Sequence, residues 1–406
     1  MAVAQASSDS RPSLLRAGLR DLWIAPSSQI PALDALRTAA ILMVITGHLS
    51  ELGKAQFVRH AHFFDSSLFL FGWTGVDLFF VLSGFLIGGQ LWKELKRSGT
   101  INVGKFILRR GFRIWPLYFL IVILSPAMTG TWSYKWGDWA FLSNYVGGRV
   151  EGGWSLSTEE QFYILAPLAI LAGSRLLRTR GWVAVLLSSL AVVSLLRWWT
   201  ARGLLHAGAS VANVKTTMYS PFHLHNEGLT IGLLIALVFV AAPAVFEKSP
   251  AHRRWVWGAA LAACAIAVVL RTENGIVFPF LALALIYGTM VLLSLALGSE
   301  HLRFLRVRPF YTLSRLSYGM YLNHFAVLRW IGPGIARAAK VIGGQSALSI
   351  CLSLVAVVAC SASFAAVTFV LVEHPFLALR GRVLPSRRDL PSTTSSDHPV
   401  AAAAHG

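Results

Sequence analysis

The stretch Leu33–Ser50, LDALRTAAILMVITGHLS, is long and apolar enough to cross a bilayer as a helix. It nevertheless carries two ionisable residues, Arg37 and His48. Ionisable side chains are costly inside a membrane, so they are candidates for function. They stand eleven residues apart, which on an α-helix places them within about 20° of one face and about 16 Å apart along the axis. A cation near one end of a helix face and an imidazole near mid-membrane on the same face form an arrangement suited to catalysis.

The same residues also have a structural explanation. Arg37 can extend its charged end to the membrane surface, and His48 can bond a neighbouring helix. Asp34 lies one turn before Arg37 and can hold it by an ion pair. The functional alternative is that a neutral imidazole at position 48 takes the proton of a hydroxyl group and makes it a nucleophile. The first span alone does not separate these explanations.

The composition extends the pattern of the first span to the whole chain. Of 406 residues, 55% are hydrophobic and 13% are charged, and the mean hydropathy is +0.60. These values exclude an ordinary soluble domain and predict an all-α, polytopic transmembrane helix bundle of about ten spans. The predicted spans are 33–50, 69–92, 106–127, 160–174, 181–198, 227–246, 255–270, 276–298, 310–331 and 345–372.

The basic residues fall mainly in alternate loops. With a cytoplasmic N-terminus, the inner segments hold 23 of the 36 Lys and Arg residues and the outer loops hold nine. This bias predicts that both termini are cytoplasmic. The net charge of +18 does not indicate nucleic-acid binding, because no loop interleaves aromatic and basic residues. We expect a cytoplasmic tail at 1–29, one transmembrane domain at 30–380 and a disordered cytoplasmic tail at 381–406.

The second span, GVDLFFVLSGFLIG, starts at Gly75 and contains Asp77 and Ser83. Asp77 is an acid in an apolar run, and an unpaired acid there would be expensive. The glycines at 75, 84, 88 and 89 allow another helix or a ligand to approach the backbone. A face of small residues for helix packing is the simpler explanation for the glycines. Asp77 is a candidate catalytic acid, and Ser83 is a candidate binding residue beside it.

Three arginines stand where the third span begins. Arg109, Arg110 and Arg113 lie on adjacent faces of the predicted helix, and the last two are one turn apart. Guanidinium groups bind phosphates bidentately, so this cluster is a candidate dock for a nucleotide-bearing molecule. Attraction to anionic membrane lipids explains the same charges without a site.

Two carboxylates, Glu159 and Glu160, open the fourth span in the segment GGWSLSTEEQFYILAPL. Ser157 and Glu160 have the spacing of a capping box, which would give Glu160 a purely structural role. Paired carboxylates can instead orient or charge-balance an imidazole. Both remain candidate catalytic residues at this point. The chain has no P-loop, dinucleotide fingerprint or HExxH spacing, so we predict no metal and no permanently bound cofactor.

Taken in order, these motifs resemble the bacterial acyltransferase-3 family of integral membrane acyltransferases, over about residues 30–380. Departures at Thr158, Asn323 and His374 remove none of the candidate groups. The matching segments are Arg37 with His48, Phe79–Ile87, Arg109–Tyr118, Trp154–Tyr163, Ser317–Phe325 and Glu373–Phe376.

The resemblance implies a multi-pass protein of the bacterial cytoplasmic membrane that transfers an acyl group, usually acetyl. The donor would be acyl-CoA, most simply acetyl-CoA, as a co-substrate held by Arg37, Ser83 and the arginine cluster. The acceptor would be a hydroxyl of a carbohydrate, a lipid-linked oligosaccharide or a glycosylated small molecule. His48, Asp77, Glu159 and Glu160 would be the catalytic candidates. A transporter or flippase of a lipid-linked sugar is the alternative, because intramembrane Arg, His and Asp also suit a proton relay.

Overall fold

The computed structural model describes residues 14–24, 30–56, 71–130, 132, 135–246, 278–301, 305–344 and 346–384, with isolated positions between 254 and 266. Within these ranges the chain forms helices and no β-strand. The helices are α1 Leu14–Trp23, α2 Pro31–Gln56, α3 Gly75–Ser98, α4 Val103–Thr129, α5 Ser143–Val146, α6 Gly153–Gly173, α7 Thr179–His206, α8 Val211–Tyr219, α9 Glu227–Ala241, α10 Pro279–His301, α11 Arg308–Ala326, α12 Gly332–Gly343, α13 Ala347–Thr368 and α14 His374–Val383.

The predicted all-α architecture is confirmed in the described part of the chain. Every predicted span except 255–270 coincides with one of these helices, and most of that span lies outside the described residues. The helices long and apolar enough to cross a membrane are Pro31–Ser50, Gly72–Ser98, Val103–Thr129, Thr179–His206, Pro279–Leu297 and Ala347–Val383, six in the described ranges. The count of about ten spans and the cytoplasmic position of both termini stay predictions.

A tight turn joins α3 to α4 and sets their relative position. Gly99 follows α3 with a φ of 69°, a left-handed conformation that suits glycine. Asn102 then caps α4, since its side chain accepts a hydrogen bond of 2.9 Å from the backbone N–H of Lys105. The two helices therefore run back along each other, and the Arg110 side chain on α4 reaches Gln90 on α3.

Helices α3 and α9 meet backbone to backbone. A Cβ added at Gly84 would overlap the carbonyl group of Leu229, and one added at Gly232 would overlap the carbonyl oxygen of Val81. The prediction that the glycines of the second span form a packing face is thus confirmed at Gly84. The close approach makes these two helices one wall of the bundle.

The segment before the first span also contributes structure. Helix α1 lies against α11, where the hydroxyl of Tyr311 donates to the carbonyl of Asp21 at 2.8 Å and that of Thr312 to the carbonyl of Leu22 at 3.0 Å. The predicted N-terminal tail therefore includes a helix attached to the domain. Residues 385–406, most of the predicted C-terminal tail, lie outside the described residues.

His48 lies in the second half of its helix. Helix α2 begins at Pro31, so His48 is about 26 Å along the axis from its start. The membrane-length part of α2 ends at Ser50. The helix continues for eight residues beyond His48, to Gln56, and the mid-membrane position expected for His48 stays a prediction.

Candidate active site

A cavity opens where five helices converge, and it collects most of the candidate residues. Five of the predicted site residues line it: Arg37 on α2, Ser83 on α3, Arg110 and Arg113 on α4, and Glu159 on α6. These five come from segments far apart in the sequence, so the fold brings them together as a constellation. The other polar lining residues are Ser155, Tyr163, Ser317, Tyr318 and Tyr321.

Glu159 is held at both carboxylate oxygens. The Ser83 hydroxyl donates to Oε1 at 2.8 Å, and the Tyr163 hydroxyl donates to Oε2 at 2.8 Å. Two donors from different helices fix the plane of this carboxylate at the cavity wall. Ser83 was predicted to bind the co-substrate; it lines the cavity, and its hydroxyl hydrogen-bonds Glu159 there.

Two of the three arginines in the cluster line the cavity, and the third lies outside it. Arg110 lines the cavity and donates to Oε1 of Gln90 at 2.5 Å, while Arg113 lines it one turn further along α4. Arg109 is not among the lining residues, and it donates instead to the carbonyl of Leu384 at 3.4 Å. Because Arg109 bonds the end of α14, the structure does not support the prediction that it shares the site with the other two.

Arg37 does not form the ion pair with Asp34 that its position in the sequence allows. The Asp34 side chain accepts a hydrogen bond of 2.8 Å from the hydroxyl of Ser314, and no salt bridge joins it to Arg37 in the described part of the chain. Arg37 instead lines the cavity. It therefore contributes a positive charge to the cavity together with Arg110 and Arg113.

Glu160 has a different environment from its neighbour. Its Oε2 accepts a hydrogen bond of 3.1 Å from Nε1 of Trp115, and it is not a lining residue. The capping-box explanation is wrong, because α6 begins at Gly153 and Ser157 lies within the helix. The Ser157 hydroxyl contacts that of Ser143 at 2.8 Å.

Asp77 pairs with a histidine that the sequence did not assign to it. Its Oδ1 lies 2.9 Å from Nε2 of His225, and both side chains are buried. The other ring nitrogen, Nδ1, lies 2.7 Å from the carbonyl oxygen of Tyr219. Both nitrogens face oxygen atoms, so Asp77 is partnered within the protein and lies outside the cavity. His225 lies in the segment HLHNEGL, His223–Leu229, whose sequence is polar but does not indicate which residue it contacts.

A buried ion pair lies beside this contact. The guanidinium of Arg197 meets Oε1 of Glu227 at 2.5 Å, with both side chains fully buried. It also lies 4.7 Å from the ring centroid of Phe280, which stacks on His225 at 3.7 Å. These polar residues join α7, α9 and α10 and serve the packing of the bundle.

His48 is not among the lining residues of the cavity and lies next to two aromatic rings of α11. Its ring centroid lies 5.4 Å from that of His324 and 4.3 Å from that of Phe325, both on α11. The ring of Tyr321, which does line the cavity, lies 5.7 Å from that of His324. The carboxylates at 77, 159 and 160 each contact other partners, so the geometry shows none of them orienting His48.

Three tyrosines complete the cavity wall and were not among the predicted site residues. Besides Tyr163, Tyr318 donates to the carbonyl of Ile114 at 2.8 Å, and the Tyr321 hydroxyl contacts that of Ser155 at 2.6 Å. The motif SYGMYLNHF contained the signal, since residues 318 and 321 share a helix face.

Comparison with known proteins identifies the family of this chain. A family model described as an acyltransferase domain matches residues 30–366, most of the described bundle and all five predicted residues of the cavity. The chain belongs to the acyltransferase-3 family. It thus carries an acyltransferase domain of the class that transfers groups other than amino-acyl groups, and the family suggests a multi-pass membrane protein.

Relatives in the family carry related names. The chain is 23% identical over 332 residues to the O-acetyltransferase OatA of Staphylococcus aureus (strain NCTC 8325 / PS 47), covering 74% of this chain and 51% of that protein. It is 26% identical over 333 residues to the putative peptidoglycan O-acetyltransferase YrhL of Bacillus subtilis (strain 168), covering 74% and 48%. The chain spans about half the length of these curated relatives. No solved structure shows a significant match.

Proposed function

We propose that the protein transfers an acyl group, most simply acetyl, from acyl-CoA to a hydroxyl of a carbohydrate acceptor. The observation that carries this proposal is the cavity that gathers three guanidinium groups and one fixed carboxylate. Coenzyme A is polyanionic at one end and carries its acyl thioester at the other. A chamber with arginines along its wall suits such a donor.

The arginines are available to bind a ligand. Arg37 and Arg113 face the cavity, and neither has a hydrogen bond or salt bridge to another side chain in the described part of the chain. Guanidinium groups bind phosphate bidentately and remain charged in proteins. Since Arg110 and Arg113 lie in the first part of α4, which the charge bias places toward the cytoplasm, the donor enters from the cytoplasmic side of the bacterial inner membrane.

The chemistry needs a base for the acceptor and an exit for the sulfur. The acceptor oxygen attacks the thioester carbon while His48 takes the hydroxyl proton, forming the new C–O bond. The C–S bond then breaks, and the coenzyme A thiolate receives that proton. The product is an ester and free coenzyme A. Because Tyr321 separates the His48–His324 pair from the cavity, the thioester lies at the Tyr321 end.

The acceptor class is supported by the relatives. Both OatA and YrhL carry the name of O-acetyltransferases, and that of YrhL specifies peptidoglycan. A polysaccharide or lipid-linked oligosaccharide is accordingly the acceptor we propose. Membrane lipids surround the domain, and no cofactor is bound permanently.

The test is equilibrium binding of radiolabelled acetyl-CoA to the purified full-length protein at several salt concentrations. Arg113→Gln removes a lining guanidinium, and charge-assisted hydrogen bonds contribute about 1.5–3 kcal/mol, so we expect affinity to fall about 10- to 150-fold. Arg109→Gln is the matched control, because Arg109 lies on the same helix but bonds Leu384 outside the cavity. Its affinity for acetyl-CoA should match that of the wild type.

Two results contradict the proposal. Equal weakening by both variants would show that α4 attracts anions without a specific site. A wild-type protein that does not bind acetyl-CoA would favour the transporter hypothesis.

A further inference from the structure

The short helix before the first span, α1, has two different sides. Gly18 and Leu22 are buried against the rest of the domain. The side chains that point the other way are exposed, although many of them are apolar. None of the residues of α1 lines the cavity, so the exposed side of this helix needs a separate explanation.

A stripe of apolar side chains runs along the exposed side of α1. Leu15, Leu19 and Trp23 follow one another at intervals of four residues, which places them on one face of the helix. Their exposed fractions are 52%, 51% and 58%. A contiguous apolar patch on an exposed surface marks a contact with a protein or with a membrane.

Two cations border this stripe. Arg16 and Arg20 each follow a leucine of the stripe by one position, about 100° further round the helix. Both are exposed. Leucine and tryptophan on one face, with arginine beside them, are typical of a helix that lies in the plane of a membrane surface. The apolar side chains of such a helix enter the lipid, and its guanidinium groups meet the lipid phosphates.

The acid of α1, Asp21, contacts the domain. Its Oδ2 lies 3.6 Å from Nε2 of His374 and 3.7 Å from a terminal guanidinium nitrogen of Arg315. Because this carboxylate is directed toward cations of the domain, the charges on the exposed side of α1 are both positive. A surface of this kind is complementary to anionic headgroups.

The attachment of α1 gives its depth in the membrane. Gly18 packs on His374, since a Cβ added at Gly18 would lie 3.3 Å from Cγ of His374. His374 belongs to the helix Ala347–Val383, which runs through α13 and α14. The part from Ala347 to His374 spans about 40 Å, close to the bilayer thickness of about 40–45 Å with its headgroups. A helix that enters one membrane surface at Ala347 therefore meets α1 at the headgroup level of the other.

The last turns of α14, which contact α1, have the same combination of side chains. Phe376, Leu379 and Val383 are exposed at intervals of three and four residues, and Arg382 is exposed among them. The charge bias of the sequence places this end of the bundle toward the cytoplasm. The cytoplasmic leaflet is the one whose anionic lipids attract basic segments beside a membrane span.

We propose that α1 lies in the plane of the cytoplasmic membrane surface and binds anionic phospholipids. Leu15, Leu19 and Trp23 enter the lipid, and Arg16 and Arg20 bind the phosphates of the headgroups. This interaction does not depend on the acyl transfer proposed above. It joins the membrane surface to the first turns of α11, because α11 donates two hydrogen bonds to carbonyl groups of α1.

The experiment measures amide hydrogen exchange in α1 by mass spectrometry, with the full-length protein in nanodiscs that hold one copy each. One set of nanodiscs contains phosphatidylcholine alone, and the other contains phosphatidylcholine mixed with phosphatidylglycerol. We expect phosphatidylglycerol to slow the exchange of the α1 amides about 30-fold, which corresponds to about 2 kcal/mol, or about 1 kcal/mol for each arginine. Local opening of α1 breaks the lipid contact, so the exchange rate reports its strength.

Two variants separate the cations from the apolar stripe. Arg16→Gln combined with Arg20→Gln should remove most of the difference between the two lipid compositions. Leu19→Ser should speed the exchange of α1 about tenfold in both compositions, because it removes an apolar side chain from the lipid.

The matched control is Lys93→Gln combined with Arg97→Gln. It removes two exposed cations from α3, which the charge bias places on the same side of the membrane, and it leaves α1 unchanged. The effect of phosphatidylglycerol on α1 should persist in this variant.

Equal exchange of wild-type α1 in the two lipid compositions would overturn the proposal, and this comparison needs no variant. An effect of phosphatidylglycerol that survives the loss of both α1 arginines would do the same, and so would one that the α3 control also loses. Unchanged exchange in Leu19→Ser would show that the stripe does not enter lipid. Slow exchange seen only in nanodiscs with two copies would assign the stripe to a second copy of this chain.

Discussion

Replacing Glu159 by Gln tests the fixed carboxylate of the cavity most directly. Both oxygens accept hydrogen bonds from hydroxyl groups, those of Ser83 and Tyr163, each at 2.8 Å. An amide nitrogen cannot accept, so Gln loses one of these bonds. A hydrogen bond to a charged group contributes about 1.5–3 kcal/mol, and about 1.36 kcal/mol corresponds to a tenfold change in rate. We expect kcat/KM for acetyl transfer to fall about 10- to 150-fold.

Two further variants separate charge from hydrogen bonding. Tyr163→Phe removes one bond and keeps the carboxylate charge, so its kcat/KM should fall by about tenfold. Glu160→Gln is the matched control, because the amide oxygen can still accept from Trp115 outside the cavity. We expect it to retain most activity. The assay is initial-rate transfer from radiolabelled acetyl-CoA, with gel filtration in detergent to show that each variant is folded. Full turnover by Glu159→Gln together with loss in Glu160→Gln would refute the reasoning.

Three other changes have definite expected outcomes. His48→Ala should lower the transfer rate by about 10²–10⁴, the usual cost of removing a general base, and wild-type turnover in a correctly inserted variant would exclude that role. Gly84→Ala should lower the free energy of unfolding by about 1–3 kcal/mol through overpacking, whereas Gly89→Ala, with open space around its Cβ, should not; thermal unfolding in detergent compares them. Glu227→Gln should cost about 3–5 kcal/mol because it leaves the buried charge of Arg197 unpaired, and an unchanged melting temperature would contradict this.

The positions of the helices could be predicted from the sequence because hydropathy decides them locally. The first span was expected at 33–50 and α2 runs Pro31–Gln56; the third was expected at 106–127 and α4 runs Val103–Thr129. Apolar runs of this length have few alternatives to a helix in a membrane. Arg37, Ser83, Arg110, Arg113 and Glu159 were candidates through the family motifs, and these residues line one cavity.

The remaining features of the site could not be predicted, because they depend on contacts between segments that are distant in the sequence. Nothing local distinguishes Arg109 from Arg110, because the rotation of α4 is set by its neighbours. The start of α6 at Gly153 rather than at Ser157 depends on the left-handed Gly152 and its contact with α11. The partner of Asp77 is 148 residues away, at His225. Helical periodicity contains no information about such pairings.

The backbone contact between α3 and α9 also determines which parts of the domain can move. With Gly84 against Leu229 and Gly232 against Val81, no layer of side chains lies between the helices along which they could slide. We expect the two helices to translate together. Carriers work by rocking one half of a bundle against the other, which needs an interface that can shear. We therefore expect the part of the cavity wall that α3 forms to move only together with α9.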